Sequence, residues 1–183
     1  MSDPTLVQAF RQALADEPGQ HLYAVLDGAS NPNLLALLAE HRLSPVCLMA
    51  GQLEPELARA APYLVEAPPL SPFTELLLTR GLGQHWGILA TSGEALRALR
   101  MHFRRLLSVW SPDGKPLYFR YYDPRVLRVY LPTCNAEELA AVFGPVAAYY
   151  AENETADGLQ RFTFAAAGLG QEPVRLARPA EPA

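Results

Sequence analysis

Ser111-Pro-Asp-Gly-Lys-Pro-Leu-Tyr-Phe-Arg-Tyr-Tyr-Asp-Pro-Arg-Val-Leu-Arg-Val-Tyr-Leu131 reads as a tight turn, a strand and a helix start in immediate succession. Pro112-Asp113-Gly114 is turn chemistry, because proline presets φ and glycine tolerates positive φ. Leu117 to Tyr122 is rich in aromatic residues, as strands are. Asp123-Pro124 closes the strand and opens a helix: aspartate is a favoured N-cap, and proline suits the first helical position, where its missing N–H costs nothing. On that helix Val126, Leu127, Tyr130 and Leu131 share one face, and Arg125 and Arg128 another. With Leu107–Trp110 as the other arm, the stretch forms a hairpin over residues 107–122 that leads directly into a helix.

Upstream, Thr91-Ser92 and Glu94 begin a long helix through Leu107. Leu96, Leu99, Phe103, Leu106 and Leu107 form its apolar stripe, and Arg97, Arg100 and Arg104 run along a neighbouring one. Short apolar strands at His21–Leu26, Val46–Met49, Tyr63–Val65 and Trp86–Ala90 alternate with helices. Four helix starts share the cap-then-proline device: Asp3-Pro4, Asn31-Pro32, Ser71-Pro72 and Asp123-Pro124. Downstream, Asn135 and Glu138 form a capping box for a short helix ending at Phe143-Gly144-Pro145. Val146–Tyr150 and Leu159–Ala167 read as late strands. Residues 168–183 are rich in Pro, Ala and Gly without periodicity and read as a disordered tail. The pattern predicts one α/β domain over residues 1–167. Its expected sheet is mixed and partly parallel, flanked by helices, with the hairpin and late strands as antiparallel additions.

Composition fits a folded protein: half of the 183 residues are hydrophobic and 19 % are charged. There is no apolar run of the ~20 residues that span a bilayer, and Met1 to Leu6 lacks the features of an export signal, so a cytoplasmic location is expected. Cys47 and Cys134 lie far apart without metal-ligand spacing, as suits reduced thiols. The net charge of −4 is unevenly spread: Arg97 to Arg128 holds eight basic residues against Asp113 and Asp123 alone. Such a band is either an electrostatic partner surface or a set of solvated helix faces.

Gly81-x-Gly83-x-x-x-Gly87 has the wrong spacing for a dinucleotide loop and precedes a strand instead of following one. The sequence has no phosphate-binding loop of the Walker type, no His-Glu-x-x-His and no nucleophile elbow. His21, His41, His85 and His102 are scattered, so neither a metal nor a cofactor is expected. Asp27, after the first strand, is the best candidate acid, since open α/β sheets bind ligands at strand carboxyl ends; Asp27-Gly28 is more simply read as a turn. No nucleophile, base and orienting group occur together, which argues against an enzyme. Overall acidity argues against nucleic acid despite the arginines and tyrosines, and the 94–107 helix should bury its apolar stripe in the core instead of in a membrane.

Several segments in order resemble the bacterial type VI secretion effector adaptors, a family first defined as a domain of unknown function. They are Tyr23-Ala-Val-Leu-Asp27-Gly28-Ala29, Ala61-Pro-Tyr-Leu-Val65, His85-Trp-Gly-Ile-Leu-Ala-Thr-Ser92, Leu99–Leu107, Pro112–Val126 and Phe143-Gly-Pro-Val146. Members often carry a further C-terminal helical region, where this sequence has its Pro-rich segment. The resemblance implies a non-enzymatic adaptor that binds a cognate toxic effector and helps place it on a spike protein of the valine-glycine-repeat (VgrG) type. Arg97, Arg100, Arg104, Arg120, Tyr122, Arg125 and Arg128 are the expected partner-binding residues, and Asp27, Gly28, Asp113, Gly114, Asp123 and Pro124 the structural ones. The alternative is a small-ligand or nucleotide-processing α/β enzyme with its site near Asp27.

Overall fold

The computed structural model describes residues 4–69 and 71–175. The first half comprises α1 (Pro4–Ala15), β1 (His21–Asp27), α2 (Leu34–Glu40), β2 (Val46–Cys47), α3 (Pro55–Ala60), β3 (Pro62–Glu66), α4 (Pro72–Leu76) and β4 (Gly87–Ser92). The second comprises α5 (Leu96–Leu106), β5 (Ser108–Trp110), β6 (Pro116–Tyr118), α6 (Pro124–Tyr130), α7 (Ala136–Phe143), β7 (Ala148–Glu152), β8 (Gly158–Ala165) and β9 (Gly168–Arg175). Seven strands form one sheet in the order β2-β3-β1-β4-β7-β8-β9, and β5 and β6 form a separate ribbon.

Strand alternation sorts the side chains into two cores. On β1, Leu22, Ala24 and Leu26 pack with Leu6 and Phe10 of α1, Leu34 and Leu38 of α2 and Phe73 of α4. Tyr23 and Val25 point the other way, to a layer holding Leu99 and Phe103 of α5, Leu127 of α6 and Val142 and Phe143 of α7. The sheet is thus covered by helices on both faces.

Two expectations need correction. Every hydrogen-bonded strand pair is antiparallel, so the sheet is not partly parallel. The β1-α2-β2 unit does bring β2 back in the direction of β1, as the alternation of strands and helices suggested. But β3 inserts between them and pairs antiparallel with both, while β4 takes the other side of β1. The segment read as a tail also begins with a strand: β9 pairs with β8 along its whole length, from Ala165↔Gly168 to Gly158↔Arg175. The rest of that segment, 176–183, lies outside the described residues.

Local capping follows the side-chain chemistry in three cases. Ser71 Oγ accepts from Thr74 N, Asp123 Oδ1 from Arg125 N, and Asn135 with Glu138 forms a complete capping box. Asn31 instead accepts from Asn33 N in a turn that precedes α2. Thr91 and Ser92 belong to β4, and α5 starts at Leu96 without a side-chain cap. In the 107–122 hairpin the second arm ends early: β6 stops at Tyr118, Phe119 N still donates to Leu107 O at 2.8 Å, and residues 120–122 lead into α6 without strand structure. No helix among the described residues is long and apolar enough to cross a membrane.

Candidate functional site

The carboxyl ends of β1 and β7 and the amino end of β4 meet at one end of the sheet, in its centre, and three buried carboxylates gather there: Asp27, Asp123 and Glu152. Each has a basic partner. Asp27 Oδ2 accepts from Arg120 Nη2 at 2.6 Å and from Ser30 Oγ at 2.9 Å, and its Oδ1 accepts from Ala29 N at 2.9 Å. The Arg120 guanidinium also lies over the Tyr122 ring, 5.9 Å from its centroid, and the Tyr122 hydroxyl meets that of Tyr118 at 3.2 Å. The buried carboxylate of Asp27 requires a partner for its charge, and the half-exposed Arg120 supplies it across 93 residues of sequence. Burial, reinforced by the Tyr118 hydrogen bond, pushes the Tyr122 phenol far above its ordinary pKa.

Asp123 caps α6 and also grips the residue whose N–H it caps: Arg125 Nε and Nη2 donate to its two oxygens at 3.0 and 2.7 Å. Burial pushes the Asp123 carboxyl up, but the hydrogen bonds and charge of Arg125 outweigh it and hold the group below the ordinary carboxylate range. Glu152 pairs with His85 Nδ1 and accepts from Gly83 N at 2.8 Å, while its backbone carbonyl accepts from Arg128 Nη1 at 3.0 Å. The groups are electrostatically connected, since Glu152 and Asp27 both favour the charge on Arg125. Gly28 is fixed by space: a Cβ there collides with the backbone carbonyl of Arg59.

The structure therefore splits the expected basic band. Arg120, Arg125 and Arg128 donate to Asp27, Asp123 and the Glu152 carbonyl, beside the buried Tyr122, while the side chains of Arg120 and Arg125 stay half exposed. Arg97, Arg100 and Arg104 lie on α5 and take part in no ion pair among the described residues. Asp113 and Gly114 occupy the exposed hairpin tip, where Asp113 pairs with Lys115 at 3.4 Å and Gly114 has φ +75. Asp123 and Pro124 stand at the start of α6, as read.

The hollow beside Glu152, lined by Leu26, Leu78, Trp86, Leu89 and Tyr150, has a volume of about 40 Å³. Another, of about 210 Å³, lies against Arg128, Asn153, Glu154, Gln160 and Gln171. A larger groove of about 360 Å³ lies between α1 and β9 at Asp16, Arg161 and Glu172. There the Arg161 guanidinium is already held by Glu17 at 2.7 Å and Glu172 at 2.9 Å. Among the described residues no three His, Cys, Asp or Glu side chains are placed to hold a metal ion.

A model of the family described as "Domain of unknown function (DUF4123)" matches residues 22–141. The chain belongs to the DUF4123 family. No curated protein and no solved structure matches it. The DUF4123 match runs from β1 into α7, so it contains the Asp27–Arg120 and Asp123–Arg125 pairs and the arginine stripe of α5, while Glu152 lies beyond it.

Glu152 and His85 were not singled out in the sequence. A signal for Glu152 was present: it ends the apolar run Ala148-Tyr-Tyr-Ala-Glu152 as Asp27 ends His21-Leu-Tyr-Ala-Val-Leu-Asp27. His85 carries no such mark; its positive φ of 57 and its partner are set by the fold. The buried Glu17, which accepts from Thr91, Tyr150 and Arg161, was likewise hidden, because its partners lie 74 to 144 residues away.

Proposed function

We propose that this protein is a non-enzymatic adaptor that binds a cognate type VI secretion toxin and helps load it onto a VgrG-type spike protein. The span over which the sequence resembles such adaptors, Leu22 to Val146, nearly coincides with the DUF4123 match over residues 22–141. The observation that carries the reading is the β5–β6 ribbon. It stands outside the main sheet, and Trp110, Leu117 and Tyr118 on it are 72 %, 51 % and 50 % exposed. Large apolar side chains grouped on a projecting element favour a protein partner.

The alternative, a small-ligand or nucleotide-processing enzyme, draws on the convergence of Asp27, Arg120 and Glu152 at strand ends. It has less support, because both oxygens of Asp27 already hold internal partners and the adjoining hollow is far below the ~300 Å³ of small-molecule sites.

Co-expression with the toxin encoded beside its gene, then pull-down and size-exclusion chromatography, tests the proposal. A stable complex with toxin or spike protein is the expected result. A folded sample that captures neither refutes it.

A further inference from the structure

Helix α5 (Leu-Arg-Ala-Leu-Arg-Met-His-Phe-Arg-Arg-Leu) contains four arginines and no acidic residue. Leu99 and Phe103 are buried, so the opposite side faces solvent. Arg97, Arg100 and Arg104 fall at helical spacings of three and four, which stacks like charges along one strip of that side. Arg105 and Met101, 54 % exposed, extend the same outer face. None of the four guanidiniums has an ion pair or side-chain hydrogen bond among the described residues. Arg120, Arg125, Arg128 and Arg161 are by contrast each held by a named acceptor, and the other arginines without one, such as Arg42 and Arg80, are scattered singly over other parts of the chain.

Arg104 and Arg105, in the last turn, suit the helix dipole, but the fold gains nothing from Arg97 and Arg100. Like charges repel at these spacings, and Arg97 sits in the first turn, where the helix dipole disfavours a cation. A local rule broken without internal compensation points to a role outside the fold. The helix also runs almost directly into the ribbon: only Leu107 separates α5 from β5, which carries the exposed Trp110.

We propose that the outer face of α5, together with Trp110, docks an acidic segment of a partner protein that carries a large apolar residue. The proposal rests on the adaptor reading in taking the partner to be a protein. The guanidinium fork binds carboxylates bidentately, and guanidiniums one helical turn apart match carboxylates spaced along a helix or on alternate residues of a strand. Trp110 provides the apolar anchor that charge pairs at a rim lack. Nucleic acid fits less well: the chain is acidic overall, with net charge −4, and phosphate tracks call for a basic domain. A lipid surface fits less well because the apolar stripe of α5 is already spent on the core.

The test uses the full chain and a short fluorescein-labelled peptide of alternating glutamates around a central leucine, followed by fluorescence anisotropy at low and high salt. The same peptide with glutamine for glutamate is the comparison. The acidic peptide should bind in preference and lose affinity as salt rises. Reversing Arg100→Glu with Arg104→Glu should weaken binding about tenfold or more and flatten the salt dependence. Trp110→Ala should weaken it while leaving the salt dependence intact, and Arg80→Glu, exposed elsewhere, should change nothing. Thermal melts verify that these surface variants fold. Equal binding of the glutamine peptide, or unchanged binding by the double reversal, overturns the proposal. So does a DNA duplex or anionic vesicle that binds the wild type more tightly than the peptide and is lost on the same reversal. Co-expression separates the two readings. A double-reversal variant that still captures toxin or spike as tightly as wild type overturns this surface and leaves the adaptor role. A wild type that binds the peptide but captures neither protein overturns the adaptor role and leaves the surface.

Discussion

Replacing Arg120 with alanine takes away the one ion-pair partner, among the described residues, of a carboxylate that is fully buried. Asp27 then keeps two neutral donors, the Ala29 N–H and the Ser30 hydroxyl, each at 2.9 Å. Breaking a fully buried ion pair costs about 3–5 kcal/mol, and an exposed pair contributes about 0–1. The Arg120 side chain is 44 % exposed, so water can enter where the guanidinium was and solvate part of the orphaned charge. The expected loss is therefore intermediate, about 2 kcal/mol. In a chain of this length that corresponds to a fall in Tm of about 4–8 °C. Arg120→Lys should recover part of the loss, since the charge returns without the planar face that lies over Tyr122. A double-mutant cycle with Asp27→Asn isolates the pair, with an expected coupling of about 1–2 kcal/mol. Differential scanning fluorimetry and urea titration measure both quantities. An Arg120→Ala protein that melts within about 1 °C of its parent, or additive effects in the cycle, would refute the argument.

Two further outcomes follow from buried titratable groups. Asp123→Ala should cost about 1–2 kcal/mol by urea denaturation, because it removes the N-cap bond of α6. Asp123→Asn should keep the cap but lose a pH-dependent part. The native carboxyl titrates below its unfolded value, so its contribution is complete above about pH 4 and disappears as pH falls through the native pKa. An Asn variant whose acid unfolding matches that of the parent would contradict this. For His102, burial between α5 and α7 lowers the pKa against weaker support from the Val142 carbonyl, so the ring is neutral at pH 7 and its Nε2–H donates at 2.9 Å. Its stabilisation is full above about pH 6.5 and declines as pH drops through the native value. An NMR titration midpoint for His102 above the ordinary histidine value would show the assignment to be wrong.

The features legible in the sequence were those determined within a few residues. Ser71-Pro72, Asp123-Pro124 and the Asn135/Glu138 box each close a hydrogen bond across two or three positions, and each was found where the residue types put it. Strand direction was not legible, because the insertion of β3 between β1 and β2 is decided by pairing over tens of residues. The strand β9 escaped notice because Gly168, Gly170 and Pro173 depress β-propensity, a composition tolerated on an edge strand. The need of Arg120 for an acid was inferable from the hairpin, but not that the acid would be Asp27. Arg125 keeps 51 % of its side chain exposed, but its internal partner was hidden for an opposite reason. Its partner sits only two residues away, and a cap residue that also grips its neighbour's guanidinium looks in sequence like an ordinary cap.

The central place of β1 has a bearing on how the chain is made. Its neighbours are β3, at Pro62–Glu66, and β4, at Gly87–Ser92, both of which leave the ribosome after it. Until they emerge, His21–Asp27 has no hydrogen-bonding partner, and while α1 and α2 can cover Leu22 and Leu26, Val25 on the other face waits for α5 to α7. The short β2 cannot relieve it, since β2 touches the sheet only through β3. A nascent chain stalled before Gly87 therefore carries an open, apolar strand edge, the kind of surface that self-associates or recruits chaperones. Native structure can close around β1 only once residues through Ser92 have cleared the exit tunnel.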